Sequence, residues 1–263
     1  MKNIDVDTLF SLKGKIALVT GGSRGIGKMI AEGYLRSGAK VYISSRNREE
    51  CESTADALSS FGHCEAFPAN IATSDGRSNL VRDLQKREQL LHILVNNAGT
   101  TWAESFADYP EDGFSKVINL NLNALFFLTR DLLPLLQRGA QLKDPSRVIN
   151  IGSIDGLRVP SILPGGTFAY SASKAAVHHI TQTLSVELAP HHITVNAVAP
   201  GYFESKLTAQ VLEDHRDIIE RACPLNRIGR PEEMAGIAIY LASRAGAYTT
   251  GTVIPVDGGT CVR

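Results

Sequence analysis

Lys15-Ile16-Ala17-Leu18-Val19-Thr20-Gly21-Gly22-Ser23-Arg24-Gly25-Ile26-Gly27 is the stretch that decides the fold. Its first six residues make a short apolar run, glycines follow at once, and residues 26–35 repeat apolar side chains at helical spacing. Strand, tight turn and helix in that order put backbone amides and a helix N-terminus where a pyrophosphate can be received. Gly21 suits the tight turn, Gly25 the close approach of backbone to phosphate, and Gly27 the packing of helix on strand. Ser23, Arg24 and Ile26 complete this phosphate-binding turn.

Working outward, the same alternation repeats. Residues 39–45, 64–68, 91–95, 147–151, 192–199 and 252–256 read as further strands, and residues 48–61, 77–88, 113–136, 170–188 and 231–241 as helices. Parallel strands need crossover connections, so this order predicts an α/β fold: a single-domain, Rossmann-type doubly wound sheet of about seven parallel strands with helices on both faces. Nothing divides the chain, and residues 1–263 are read as one dinucleotide-binding domain with an N-terminal extension over 1–13. Residues 201–228 mix apolar and charged side chains without a clean period and are expected to form an irregular substrate lid.

Composition limits the function classes. In 263 residues, 27 basic and 27 acidic side chains cancel, so no global field draws in nucleic acid or an anionic membrane, and a small-molecule partner is expected. Cys51, Cys64, Cys223 and Cys261 have neither disulfide-framework nor metal-ligand spacing. With no apolar leader and no run of transmembrane length, the expected compartment is the cytoplasm. His178-His179 and His191-His192 lack the carboxylate spacing of a metal site, and no metal is expected. Glu49-Glu50 and Glu232-Glu233 read as solvated acids near helix N-termini, and Trp102 reads equally as cleft lining or as packing.

About twenty residues beyond the glycine turn, where an NAD-binding fold places an acid on the ribose hydroxyls, stand Ser45 and Arg46. Arg46 with Arg24 supplies two guanidinium groups suited to a 2′-phosphate, which predicts NADP(H) over NAD(H). After the third strand, Asn70-Ile71 offers a neutral amide near the adenine.

Tyr170-Ser171-Ala172-Ser173-Lys174 lies in a helical segment, so phenol and ammonium project from one face, and the cation is expected to lower the phenol pKa. Ile149-Asn150-Ile151-Gly152-Ser153 and Asn96-Asn97-Ala98-Gly99 each end a strand at the expected crevice. Together with the glycine turn, these elements resemble the short-chain dehydrogenase/reductase family from residue 15 to 259. The resemblance implies Tyr170 as general acid, Lys174 as its tuning partner and ribose ligand, Ser153 as the hydroxyl orienting the carbonyl, and Asn121 as support of a proton relay. Asn119 and Asn123 flank Asn121 and compete for that register. It also implies that Asn97, Ala98 and Gly99 line the cofactor cleft, and that Pro200, Gly201 and Ser205 approach the nicotinamide.

Within the family, the glycine turn and the segments from Gly229 to Met234 and from Asp257 to Gly259 look like 3-oxoacyl reductases, including the rhamnolipid-linked type. The expected activity is NADPH-dependent reduction of a carbonyl, first of a 3-oxoacyl thioester. A sugar, polyol, steroid or other secondary-alcohol dehydrogenase is the alternative, and a cofactor-sensing binding protein the non-enzymatic one. The C-terminal strand implies a homotetramer, with a dimer second. The long stretch between Ser153 and Tyr170, with Pro160, Pro164, Gly165 and Gly166, is expected to border the substrate.

Overall fold

The computed structural model describes residues 4–159 and 165–263; Pro160 and Pro164 lie outside them. Its strands are β1 (Ile16–Thr20), β2 (Lys40–Ser44), β3 (Cys64–Ala66), β4 (Ile93–Asn96), β5 (Ser146–Ile151), β6 (Ile193–Pro200) and β7 (Val253–Val256). Its helices are α1 (Val6–Phe10), α2 (Gly25–Arg36), α3 (Arg48–Leu58), α4 (Ser74–Arg87), α5 (Glu111–Ile118), α6 (Ala124–Gly139), α7 (Phe168–Leu188), α8 (Ala209–Ala222) and α9 (Pro231–Ala242).

All seven strands pair in parallel in the order β3-β2-β1-β4-β5-β6-β7. The chain leaves β1 toward one edge, then returns to β4 on its other side. The carboxyl ends of β1 and β4 therefore flank the switch point where such sheets open a crevice. Alternation along the strands feeds two cores. Val19, Ile43 and Val95 pack with Ile30, Tyr34 and Leu58 on one face, and Leu18, Tyr42 and Leu94 pack with Leu84, Leu128 and Leu132 on the other.

The helical boundaries depart from the sequence reading in three places. Helix α4 begins at Ser74 because the Thr73 hydroxyl accepts from the Gly76 amide at 3.1 Å and caps it. The expected single helix over 113–136 is two helices joined by a π-turn at Asn119–Asn123. The irregular lid expected over 201–228 contains helix α8, with a break at His215 where φ is −136°. Leu212 and Ile219 are its buried anchors, two turns apart, and the charges between them obscure that period.

At the opposite end of the sheet, Arg147 is fully buried at the start of β5. Its guanidinium donates to the carbonyls of Leu241 at 3.2 Å, Ser243 at 2.9 Å and Pro145, and to Asp144 at 3.2 Å. Asp144 also pairs with Lys15, so one charge cluster ties β1, β5 and the end of α9. Removing the guanidinium leaves buried carbonyls unpaired. Arg147→Met is expected to lower unfolding free energy by about 3 kcal/mol, seen as a lower denaturant midpoint; an unchanged midpoint would show the cluster to be energetically idle.

Candidate active site

The switch-point crevice is an open cleft of ≈ 1040 Å³ above the carboxyl ends of the strands. Its floor is a knot between the ends of β1 and β4. The Thr20 hydroxyl donates to the Val95 carbonyl at 3.1 Å and accepts from the amides of Asn97 and Ala98 at 3.0 and 3.1 Å. The Asn97 side chain returns two bonds, to the carbonyls of Thr20 at 2.9 Å and Gly21 at 3.1 Å. Gly21 holds φ +63°, and a Cβ there would stand 2.8 Å from the Asn97 amide nitrogen. A Cβ on Gly27 would lie 2.3 Å from the Gly21 carbonyl oxygen, which is why Gly27 sits behind the cleft rather than in its lining.

Helix α2 opens on this cleft with no side-chain cap at Arg24, so its first amides have no side-chain partner. Ser23, Arg24, Gly25 and Ile26 line the cleft beside them, and a Cβ on Gly25 would reach within 2.9 Å of the Ser205 side chain. Ser205 is in turn held by Thr208 at 2.9 Å between hydroxyls. An uncapped helix start in a Cβ-free cradle fits a pyrophosphate.

Ser45, Arg46, Asn70 and Ile71 line the far end. Arg46 is exposed and makes no ion pair among the described residues. Arg24 is engaged: its guanidinium meets the Glu50 carboxylate at 3.1 Å. Glu50, read from sequence as a solvated helix acid, is therefore a cleft residue that competes for one of the two expected phosphate ligands.

At the other end, β5 delivers Ser153 and α7 delivers Tyr170 and Lys174 into the same cleft, with Asn97, Ala98, Gly99, Pro200 and Gly201 around them. The Lys174 ammonium donates to the Ile151 carbonyl at 2.7 Å and stands 5.6 Å from the centre of the Tyr170 ring. Burial lowers its pKa to about 8. The Tyr170 phenol moves opposite to the sequence expectation: burial pushes it up to about 12, and a hydrogen bond with Ser153 only partly offsets that. Lys174 is not among the groups that shift the phenol in this geometry, and its ammonium is engaged with the Ile151 carbonyl.

Asn121 lies in the π-turn, buried behind the cleft wall. Its side chain accepts from the Thr100 amide at 2.9 Å and donates to the Thr100 carbonyl and the Ser173 hydroxyl, both at 3.0 Å. A Cβ on Gly99 would stand 3.3 Å from Asn121 Oδ1 and 3.7 Å from the Lys174 ammonium, so these three residues converge. Asn119 instead donates to the Ala72 carbonyl, and Asn123 is exposed.

A family model described as Enoyl-(Acyl carrier protein) reductase matches residues 21–261. The Rhamnolipids biosynthesis 3-oxoacyl-(acyl-carrier-protein) reductase of Pseudomonas aeruginosa is 48% identical over 252 residues, which are 95% of this chain and 97% of that protein. The chain belongs to the short-chain dehydrogenase/reductase family. Among solved structures, the Pseudomonas aeruginosa RhlG/NADP active-site complex superimposes with a TM-score of 0.92 at 47% identity, covering 97% of this chain and 99% of that one. A gluconate 5-dehydrogenase from Burkholderia cenocepacia J2315, in complex with NADP and tartrate, matches with a TM-score of 0.89 at 28% identity, covering 98% and 100%.

In this short-chain dehydrogenase/reductase several site residues escape a sequence reading. His178, noted only as one of two adjacent histidines, is buried beneath Ser153; its Nε2 accepts from the Ser153 amide at 3.4 Å, and burial lowers its pKa. A Cβ on Gly152 would lie 2.1 Å from that nitrogen. Asp155 and Tyr202 line the cleft near Tyr170, and each pushes the phenol pKa up. The Asp155 amide donates to the Ser153 hydroxyl at 3.1 Å. Only the IGS run that precedes Asp155 and the Pro-Gly before Tyr202 marked their neighbourhood. Trp102 packs on Gly113 and under Lys116 rather than lining the cleft.

The lysine pKa has a sign that stability can report. Lys174 is easier to deprotonate folded than unfolded, so its burial costs stability below pH 8, and the cost disappears as pH rises to about 10.5, the ordinary lysine value. Comparing melting temperatures of cofactor-free wild type and Lys174→Met across pH 7–10.5 is expected to show the difference moving steadily in favour of wild type. A constant difference would contradict the burial cost.

Proposed function

We propose that this chain is an NADP(H)-dependent oxidoreductase that reduces the carbonyl of a 3-oxoacyl thioester to a secondary alcohol. The observation that carries the reading is convergence: Tyr170, Ser153 and Lys174 share one cleft with the uncapped start of α2. The 3-oxoacyl reductase at 48% identity and the NADP complex at 47% support its substrate and cofactor.

Gly21, Ser23, Gly25 and Ile26 would hold the pyrophosphate, Ser45 and Arg46 with Arg24 the 2′-phosphate, Asn70 and Ile71 the adenine, and Lys174, Pro200, Gly201 and Ser205 the nicotinamide half. When bound, the dinucleotide supplies the hydride. A phenol raised to about 12 is fully protonated at neutral pH and is therefore a proton donor. Tyr170 gives its proton to the carbonyl oxygen as negative charge develops there, and the Ser153 hydroxyl donates a hydrogen bond to the same oxygen. His178 is neutral and holds the Ser153 backbone, fixing that hydroxyl. Asn121, bridging Thr100 and Ser173 beside Gly99, supports the route by which the phenol regains a proton.

A second substrate class, a polyol or neutral sugar, draws support from Asp155, which lines the cleft and whose carboxyl can accept from a hydroxyl while burial pushes its pKa up. In the first reading, residues 201–228 act as the substrate lid and residues 4–13 as an extension outside the site. The four free cysteines fit a reducing, cytoplasmic setting. Among the described residues, edge strand β7 pairs only with β6 and stays partly exposed, which supports assembly into a homotetramer, with a dimer second.

NADPH oxidation with acetoacetyl, crotonyl and ketose substrates tests the class: turnover of acetoacetyl thioester alone supports the reading, and preference for either other compound replaces it. Tyr170→Phe is expected to lower kcat by roughly 10²–10⁴-fold while sparing NADPH binding; a variant within fivefold of wild type removes Tyr170 from the chemistry. Arg46→Ala is expected to weaken NADPH binding about tenfold with NADH unaffected, and Glu50→Gln to strengthen it by releasing Arg24. Equal effects on both dinucleotides would refute the phosphate assignment.

A further inference from the structure

Behind the catalytic cleft lies a second cavity of ≈ 560 Å³. The two share Tyr202 and Phe203, so they adjoin at these two residues. That segment is pinned: the Tyr202 carbonyl accepts from the Gly229 amide at 2.8 Å, and a Cβ on Gly229 would strike the Phe203 ring at 2.3 Å. The remaining wall is mostly apolar, with Ile219 from α8 and Cys223 just after it, then Pro224, Leu225, Pro255 and Val256.

Its charged groups are already paired. Arg227 meets Glu233 at 2.5–2.8 Å and holds that carboxyl down at about 2, so neither charge needs a ligand. The Cys223 thiol faces the carbonyls of Asp257 and Gly258 at 3.6 and 3.5 Å, and the Leu225 amide donates to Gly258. A cavity lined by apolar side chains and satisfied polar groups selects an apolar ligand. Of the substrate's parts, only the alkyl tail beyond the reacting carbonyl has that chemistry, and it starts beside Tyr170, a phenol that Tyr202 lies close enough to perturb.

We infer that the second cavity receives the alkyl tail of the acyl substrate, which passes Tyr202 and lies against Ile219, Cys223 and Val256, making this cavity the determinant of chain length. The inference rests on the 3-oxoacyl reading for its substrate but not for its measurement. Each methylene that enters should raise kcat/KM by about fourfold, the equivalent of about 0.8 kcal/mol, until the cavity is full.

The test compares 3-oxobutanoyl-CoA with 3-oxooctanoyl-CoA at saturating NADPH. Wild type is expected to favour the longer chain by at least tenfold in kcat/KM. Cys223→Phe, which fills the cavity from the end of α8, and Leu225→Trp, at its exposed rim, should each cut that ratio to threefold or less. Variants that bind NADPH like wild type and keep the full ratio overturn the inference.

A second measurement needs no turnover: binding of the non-reducible butanoyl-CoA and octanoyl-CoA to NADP-loaded protein. Wild type should prefer octanoyl-CoA by at least tenfold, and Cys223→Phe should abolish the preference. Chain-length discrimination in binding without any 3-oxoacyl reduction would overturn the proposed activity and uphold the cavity. Reduction of 3-oxoacyl thioesters without discrimination in either assay would do the reverse, and loss of both would overturn both.

Discussion

The structure depends on a contact that admits no Cβ. Gly27 of α2 lies on the carbonyl of Gly21, and the Asn97 amide bonds the carbonyls of Thr20 and Gly21 beneath it. Close approach brings the uncapped start of α2 over the ends of β1 and β4. A methyl group there would push the helix off the sheet, and with it the amides that face the cleft. The threonine hydroxyl serving both sides of the knot explains why the turn and the loop after β4 behave as one piece.

Burial sets the chemistry at the other end. Desolvation moves Tyr170 and Lys174 toward their neutral forms, one pKa rising and the other falling. Such a site stores polar groups in an environment that penalises them, and the protein holds them through contacts made elsewhere: Lys174 on the Ile151 carbonyl, Ser153 on His178, Asn121 across Thr100 and Ser173. A buried chain of side-chain bonds, Thr129 to Asn96 to Asn150 to Thr181, ties β4 and β5 to α6 and α7 just below.

Much of this was legible. The apolar runs at 15–20, 91–95 and 147–151 became strands β1, β4 and β5 because a strand covered on both faces has to be continuously apolar. Tyr170 and Lys174 share a helix face as their spacing implied, since that is local geometry, and both line one cleft with Ser153. Helix α8 was hidden by its charged residues, and the start of α4 by a threonine cap that looks like loop sequence. His178, Asp155 and Glu50 were missed for a common reason: each acquires its role from a partner far away in sequence or from burial.

What the amino-acid order determined alone is therefore whatever depends on period and on neighbours a few residues apart: the alternation of strand and helix, the glycine turn, the tyrosine and lysine on one helical face. Tertiary structure decided which cation at the cleft is free, in which direction the phenol titrates, and that a second cavity adjoins the first behind Tyr202. Those properties follow from solvent exclusion and from charges brought together across the fold, and neither quantity exists until the sheet has closed over its two cores.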